Sequence, residues 1–297
     1  MKHIETMRYP FLLLVLALLL SCKQESDILT KRFALPKKLK EVSGIIYSND
    51  SKLLYAVEDS GNDNVIYGLN NEGKLQHSIR IVDAKNVDWE DITKDQQGNL
   101  YIGDFGNNDN ERKDLCIYKI QKDSLIKKEA YSTYKISFAY PEQNKFPPKN
   151  KELFYDVEAF FELENNFYLF TKNRSSSFDG TTFLYKVPNK AGFHQAQLLG
   201  KFKTGGSFSE NAITSATLST DGATVVLLCH AKVWLFTNFT SDNFLSGIAK
   251  ELQLNHFSQK EAICFKDDST IIIADEKTKK IGGYVYEVTL EQLKSQP

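Results

Sequence analysis

The segment Asn86-Val87-Asp88-Trp89-Glu90-Asp91-Ile92-Thr93 decides the fold, because its pattern recurs four more times along the chain. Each copy is a short apolar strand that begins with a polar residue and reaches a tight turn a few residues later. In register, the polar position of the five copies is occupied by Ser43, Glu90, Glu158, Ser215 and Glu261. Successive positions are 47, 68, 57 and 46 residues apart, and repeats of about this period are typical of a solenoid, a propeller or an array.

Each repeat continues in the same order after its first strand. In the second repeat, a turn at Gln97-Gly98-Asn99 leads to the more apolar strand Leu100-Tyr101-Ile102-Gly103, and Asn and Gly are residues that turns favour. A third strand at residues 115–120 and a weaker fourth strand at residues 134–140 follow. Five units of four strands predict an all-β protein with the fold of a five-bladed β-propeller.

The ends of the chain predict how the ring closes. The last repeat stops soon after its third strand, while residues 28–35 resemble a strand that has no repeat of its own. We therefore expect this N-terminal strand to supply the fourth strand of the last blade. The alternative is a six-bladed ring, which would need a degenerate repeat hidden in residues 121–151.

The first 27 residues are predicted to be a targeting segment and not part of the propeller. Lys2 and Arg8 precede an apolar run at residues 11–20, which is typical of a secretory signal and too short to span a bilayer. Leu19-Leu20-Ser21-Cys22 resembles a bacterial lipobox, which implies cleavage before Cys22 and acylation of that residue. The predicted domains are a lipoprotein signal peptide (1–21), a tether (22–27) and the β-propeller (28–297).

The predicted location is the bacterial cell envelope, with a lipid anchor at Cys22 in the outer membrane, on its periplasmic or its surface side. Several acyl chains, such as palmitate, anchor a protein more stably than one chain does. The alternative is a plain signal peptide with a chance cysteine.

The net charge and the cysteine spacing of the chain limit the kinds of partner and metal that it is expected to bind. The chain has 297 residues and a formal net charge of −1, which argues against a nucleic acid partner, and we expect a monomer. Cys116, Cys229 and Cys264 form an odd set without CxxC spacing, so neither a disulfide framework nor a zinc site is indicated.

The repeated polar position predicts a metal site. The first strand of each propeller blade lines the central channel, so this position projects toward the axis from five sides. Three carboxylates and two hydroxyls would meet there, and the carboxylates would repel one another without protons or a cation. Oxygen ligands in a flexible ring favour Ca²⁺ over Mg²⁺. The alternative is that these residues only line a wet channel.

Loops at the same mouth of the channel provide candidates for ligand binding. The strand ends and loops there carry Asp59, Asp104, Lys172, Arg174, His230 and Glu276. Lys172 and Arg174 are candidates for binding a small anionic ligand, and a protein partner could occupy the same face. No G-x-S-x-G, P-loop or H-E-x-x-H motif is present, so no catalytic residue is identified.

The motif positions resemble those of the calcium-dependent apyrases, which are five-bladed propellers with calcium on the axis. In that family the axial ligands are Ser, Glu, Glu, Ser and Glu, and the resemblance assigns these roles to Ser43, Glu90, Glu158, Ser215 and Glu261. The apyrase residues that hold the nucleotide have no match here. The chain is more similar to secreted bacterial propellers that carry Asp88-Trp89-Glu90-Asp91-Ile92 and Gly103-Asp104-Phe105-Gly106-Asn107-Asn108. It also resembles the esterase-like phytase propellers.

Two functions follow from the sequence. The first is a membrane-anchored, calcium-binding propeller that binds a ligand or a protein. The alternative is a calcium-dependent hydrolase of phosphoesters or phosphoanhydrides, similar to an apyrase or a phytase. The hydrolase would need a metal position open to water or substrate, whereas the binding module would not.

Overall fold

The structure is a computed structural model, and it describes residues 28–296. The predicted signal peptide, the lipidated Cys22 and the tether lie outside the described residues. The described part of the chain forms these strands: β1 (Thr30–Ala34), β2 (Val42–Ser48), β3 (Leu53–Glu58), β4 (Val65–Leu69), β5 (Leu75–Ile81), β6 (Trp89–Lys94), β7 (Leu100–Asp104), β8 (Cys116–Ile120), β9 (Glu129–Ala130), β10 (Tyr134–Ala139), β11 (Asp156–Leu163), β12 (Asn166–Lys172), β13 (Thr181–Pro188), β14 (Gly192–Gln195), β15 (Gln197–Lys203), β16 (Ser215–Leu218), β17 (Val225–Leu228), β18 (Lys232–Thr237), β19 (Ile248–Gln253), β20 (Lys260–Phe265), β21 (Thr270–Asp275) and β22 (Tyr284–Thr289).

These strands build five sheets in succession, which confirms the five-bladed propeller. Blade 1 is β2-β3-β4-β5, blade 2 is β6-β7-β8-β10, blade 3 is β11-β12-β13-β15 and blade 4 is β16-β17-β18-β19. Blade 5 is β20-β21-β22-β1. All pairings within these sets are antiparallel, whereas β9 and β14 pair in parallel with the outer edges of blades 1 and 2.

The N-terminal strand closes the ring, as the sequence predicts. β1 pairs with β22, and Lys31 lies opposite Tyr286. The Leu35 N–H also donates to the Gly283 carbonyl (2.8 Å). The six-bladed alternative is wrong, because residues 121–151 contribute β9 and β10 to the outer edges of blades 1 and 2 instead of forming a further sheet.

Helical structure is sparse in residues 28–296. Short α-helices occupy Phe208–Asn211 and Leu290–Lys294, and 3₁₀ turns occupy Lys122–Ser124, Asn150–Glu152 and Phe244–Ser246. Thr289 and Gln292 cap the C-terminal helix reciprocally, a local signal of the kind that starts a helix. No helix within residues 28–296 has the length and apolarity needed to cross a membrane.

The core lies between adjacent blades, where the second strand of each sheet is packed on both faces. Phe105 of blade 2 meets Phe160 of blade 3 edge to face, with ring centroids 5.1 Å apart. Cys116, Cys229 and Cys264 are buried free thiols, so all three are core residues.

A β-bulge marks the repeated polar position. At a bulge, two residues of one strand oppose a single residue of its partner. The pairing of first and second strands shifts at Ser43, Glu90, Glu158 and Glu261, so each of these residues is the extra residue of its strand. The sequence register is therefore confirmed in blades 1, 2, 3 and 5.

Blade 4 differs from the predicted register by one residue. Ser215 is paired with Leu228, and the Thr214 N–H also donates to the Leu228 carbonyl (3.0 Å). Thr214 is thus the extra residue, and Ser215 matches the residue that follows each bulge. Two adjacent hydroxyl residues made either register compatible with the sequence.

Candidate functional site

The end of the channel at which the bulges lie is called the mouth here. Acidic and basic side chains form a network of ion pairs at this mouth. The first strand of blade 3 begins and its second strand ends at this mouth, where Asp156 is paired with Lys172. Arg174 follows two residues later. The three carboxylates predicted for the channel, Glu90, Glu158 and Glu261, are all buried here.

Glu158 is the most heavily paired of these carboxylates. Arg174 donates from Nη2 to Glu158 Oε1 (2.6 Å) and from Nε to Asp156 Oδ2 (2.5 Å). Lys172 Nζ lies 3.0 Å from Glu158 Oε2 and 3.9 Å from Glu261 Oε2. The two predicted anion-binding residues are therefore already ion-paired with carboxylates, and an anionic ligand would have to compete with those contacts.

Glu261 completes the group on the side of blade 5. His230 Nε2 lies 3.2 Å from Glu261 Oε1, which brings His230 to the mouth as predicted. Burial opposes ionisation of Glu261, but Lys172 and the His230 hydrogen bond outweigh it, so the pKa of Glu261 is lowered. Its surroundings thus favour the ionised form of Glu261.

Glu90 differs from Glu158 and Glu261 in its surroundings, because its nearest charged neighbours are other carboxylates. Its carboxylate, that of Asp156 and that of Glu158 offer ligand atoms that lie within 4.8 Å of one another. Glu90 is only 7% exposed, and its carboxylate has no hydrogen bond or ion pair with any residue in the range 28–296. Burial raises the pKa of Glu90 well above its usual range, and the carboxylates of Glu158 and Asp88 add to the effect.

The loop after the second strand of blade 2 covers this group. A Cβ atom on Gly106 would lie 2.1 Å from Glu90 Oε1 and 2.4 Å from Asp88 Oδ2, so only glycine leaves these carboxylates in place. The Asn107 N–H donates to Asp156 Oδ1 (2.6 Å). The Gly-Asp-Phe-Gly-Asn-Asn motif is therefore a lid on the acidic cluster as well as a turn.

The hydroxyls of the repeated position are directed at neighbouring blades. Ser43 Oγ donates to the Trp89 carbonyl (2.6 Å), and Thr214 Oγ1 donates to the Lys260 carbonyl (2.7 Å). Each acceptor directly precedes the bulge residue of the next blade, which supports the equivalence of Ser43 and Thr214. These hydrogen bonds hold blade 1 to blade 2 and blade 4 to blade 5.

Ser215 follows Thr214 on the first strand of blade 4 and lies further inside the channel, where it contacts Asp91. Ser215 Oγ donates to Asp91 Oδ2 (3.2 Å) and accepts from the Ile263 N–H (3.3 Å). Asp91 also accepts from the Phe160 N–H (3.2 Å), so this layer of hydrogen bonds joins blades 2, 3, 4 and 5. It is a second layer, distinct from the carboxylates at the mouth.

Asp59 and Glu276, two further candidates for ligand binding, lie toward the rim of the mouth. Asn62 Nδ2 donates to Asp59 Oδ1 (3.1 Å) and to Glu41 Oε2 (2.8 Å). Burial, together with Glu41 and Asp88, raises the pKa of Asp59 to about 7. Burial, together with Glu261 and Asp59, raises the pKa of Glu276 to about 8. Both therefore belong to one continuous acidic mouth.

Asp104 has a structural role. It is 1% exposed, accepts from Arg112 Nη2 (2.9 Å) and from the Asp88 N–H (3.1 Å), and so holds the Asp88 segment in place. Burial raises the pKa of Asp104, although Arg112 opposes the shift.

Sequence reasoning missed Asp88 and Asp156. Each lies two residues before a bulge glutamate, in Asp88-Trp89-Glu90 and Asp156-Val157-Glu158. Side chains two apart on a strand share a face, so the repeated acid-x-Glu pattern was a signal that could have found them.

Exposed aromatic rings flank the mouth. The Arg174 guanidinium lies 5.7 Å from the ring centroid of Phe208, and the His230 ring lies 6.1 Å from that of Phe257. Phe208 is 39% and Phe257 60% exposed. Apolar rings beside a charged opening are typical of binding surfaces.

Fold and site together define an all-β, five-bladed propeller with a buried acidic cluster at one mouth of its channel. The model of the SdiA-regulated family matches residues 25–146, which include all four strands of blade 1 and all four strands of blade 2. A comparison with curated proteins finds no match. Among solved structures, the chain is similar to one in "Crystal structure of Nidogen/Laminin Complex", with 12% identity and a TM-score of 0.47 over 83% of this chain and 84% of that chain.

Proposed function

We propose that this protein is a cation-dependent binding module whose acidic mouth takes Ca²⁺ at Glu90, Asp156 and Glu158. The observation that carries the proposal is the buried Glu90 carboxylate, which makes no hydrogen bond and no ion pair within 4.0 Å among residues 28–296 and shares a 4.8 Å group with two further carboxylates. Carboxylate oxygens suit a hard cation, and Ca²⁺ accepts irregular geometry more readily than Mg²⁺.

The balance of charge supports a cation. Glu90, Asp156, Glu158 and Glu261 place four carboxylates at the mouth, whereas Lys172 and Arg174 provide two permanent positive charges. The excess must be neutralised by protons or by a bound cation. The proposed metal lies on the side of blades 2 and 3, since Lys172 already stands between Glu158 and Glu261.

Binding is favoured over hydrolysis because Lys172 and Arg174 are engaged with carboxylates. A phosphoester hydrolase would need cations free to hold the phosphate. The exposed rings of Phe208 and Phe257 instead suit a partner that contacts the rim of the mouth.

Calcium titration of the chain from residue 23 onward tests the proposal. Thermal unfolding should occur at a higher temperature in calcium than in chelator, and a ligand at a hundred times its Kd adds about 2.7 kcal/mol. Glu90→Gln should abolish the shift, while Glu129→Gln, at an exposed outer edge, should retain it. No shift in the unchanged chain, or an equal shift in Glu90→Gln, would overturn the proposal.

We further propose that acyl chains at Cys22 hold the module on the bacterial envelope. Cys22→Ala should move the protein from the membrane fraction to the soluble fraction, because the lipid is the proposed anchor. Unchanged fractionation of this variant would contradict the anchor and leave the calcium proposal standing.

A further inference from the structure

Two exposed turns lie side by side at the rim of the mouth, where blade 5 meets blade 1. The first turn follows β1 and leads into β2, and the second joins β21 to β22. At one end of the pair, the Leu35 N–H donates to the Gly283 carbonyl (2.8 Å). At the other end, the Lys277 N–H donates to the Lys40 carbonyl (2.8 Å). The two turns are therefore held together at both ends and form one surface.

This surface is rich in lysine. A backbone hydrogen bond from the Leu39 N–H (2.9 Å) closes the first turn, and a pair of backbone hydrogen bonds between Thr278 and Ile281 closes the second. Each turn carries two lysines at its tip and one beside it. All six side chains are exposed, and together they are called the lysine face: Lys37, Lys38, Lys40, Lys277, Lys279 and Lys280.

No carboxylate neutralises the lysine face. Within residues 28–296, none of its six ammonium groups forms an ion pair of 4.0 Å or less. The acidic residues of the two turns are engaged with amides, because Glu41 accepts from Asn62 (2.8 Å) and Glu276 accepts from Gln259. The whole chain has a net charge of −1, so this excess of positive charge is local and does not follow from composition.

An apolar side chain accompanies the lysines. Ile281 directly follows Lys280 and is 69% exposed. A bilayer with anionic lipids is complementary to both features, since its phosphates attract clustered lysines and its acyl region accepts an apolar side chain.

The proposed anchor brings the lysine face within reach of a bilayer. β1 ends beside the first turn, and β1 with the two residues before it rises by roughly 20 Å. Six peptide steps separate Cys22 from Ile28, and they span at most about 21 Å. A bilayer that holds Cys22 can therefore lie level with the lysine face. This step rests on the proposed lipid anchor, whereas the charge of the face does not.

We infer that the lysine face binds the anionic headgroups of a membrane, so that the side of the mouth at blades 5 and 1 lies against the bilayer. The carboxylates Glu90, Glu158 and Glu261 are buried, so the charges presented to the bilayer by this surface are mainly those of the exposed lysines. Phe208 lies between blades 3 and 4, and that part of the rim stays available to a partner.

Co-sedimentation with vesicles tests the inference on the chain from residue 23 onward, which has all five blades and β1 but no cysteine to acylate. In chelator and 0.1 M salt, it should bind vesicles of phosphatidylglycerol and phosphatidylcholine, but not vesicles of phosphatidylcholine alone. The chelator prevents calcium from bridging protein and phosphate, so the result is independent of the calcium proposal. Binding should be lost in 1 M salt, which shortens the Debye length from about 10 Å to about 3 Å.

Charge reversals locate the contact. Lys37→Glu with Lys38→Glu should weaken binding to the anionic vesicles at least about tenfold, since each reversal replaces attraction by repulsion. Lys279→Glu with Lys280→Glu should have the same effect. The matched control is Lys52→Glu with Lys190→Glu, which changes the net charge equally at two exposed turns on the opposite end of the channel. The control should bind normally, and thermal unfolding checks that all three variants are folded.

The inference is overturned if the unchanged chain does not bind anionic vesicles, if neither lysine pair matters, or if the control loses binding equally. Binding to poly-L-glutamate without binding to vesicles would also overturn it and would indicate an acidic protein partner. The lipid anchor is tested separately, because membranes washed in 1 M salt retain an acylated protein but release one that is held by lysines alone.

Discussion

Gly44 shows how one residue fixes the spacing between two blades. A Cβ atom at this position would lie 2.7 Å from Asp91 Cα and 2.7 Å from Ile92 N. Both atoms belong to the backbone of blade 2, which cannot move aside as a side chain end can. The absence of a side chain at Gly44 therefore permits the hydrogen-bonded layer of Asp91 to approach blade 1.

Gly44→Ala should destabilise the protein by about 1–3 kcal/mol, the usual cost of forcing an extra carbon into a packed core. Urea unfolding followed by tryptophan fluorescence measures the loss, since Trp89 is fully buried beside the channel. Gly200→Ala is the matched control, because its Cβ would meet only the end of the Leu245 side chain, at 3.0 Å. Equal stability of the two variants would refute the role of Gly44.

The element that decides ring closure is β1. It pairs with β22 although the two strands lie far apart in sequence, and Phe33 packs on the core cluster that blades 1, 2 and 5 share. Without β1, β22 would become an exposed edge strand.

A chain that starts at residue 36 should therefore be less stable than one that starts at residue 28. The expected loss exceeds about 2 kcal/mol, because the strand pairing is removed together with the buried side chain of Leu29 and the partly buried side chains of Phe33 and Leu35, and typical stabilities are only about 5–15 kcal/mol. Denaturant unfolding of both chains is the measurement. Similar midpoints would mean that the ring does not depend on this closure.

The sequence predicted the repeating elements well because each first strand carries the same local signals. The apolar run, the turn and the polar bulge position are all encoded within about fifteen residues. Ring closure was also predictable, since β1 was the one strand without a repeat. The register of blade 4 was not, because Thr214 and Ser215 are chemically similar neighbours and only the pairing with Leu228 separates them.

The candidate site was harder to predict than the fold. Glu90, Glu158, Glu261 and Lys172 were placed at the mouth correctly, since strand topology alone brings them there. The pairing of Lys172 and Arg174 with carboxylates depends on side-chain directions that spacing does not determine. A cavity at the other end of the channel, whose wall includes Lys94 and Glu162, was missed because strand ends of five separate repeats form it.

At the scale of the whole molecule, the acidic mouth links stability to pH. Carboxyl pKa values near 4 are raised on folding, to about 7 for Asp59 and about 8 for Glu276. A carboxyl whose pKa is raised on folding stabilises the protein while it is protonated and loses this contribution as it ionises. The stabilisation is therefore complete below about pH 4 and is lost as the pH rises to about 8.

In chelator, the urea midpoint should consequently fall between pH 5 and pH 8.5. Calcium should reduce this fall, since a cation at the proposed site stabilises the ionised carboxylates and binds more tightly as they lose protons. Glu276→Gln should flatten the profile because it removes one titrating group, whereas Asp221→Asn should not, since the pKa of that exposed carboxyl is already low. A midpoint that rises from pH 5 to pH 8.5 in chelator would show that the carboxylates of the mouth are ionised without cost, and the case for a cation there would be lost.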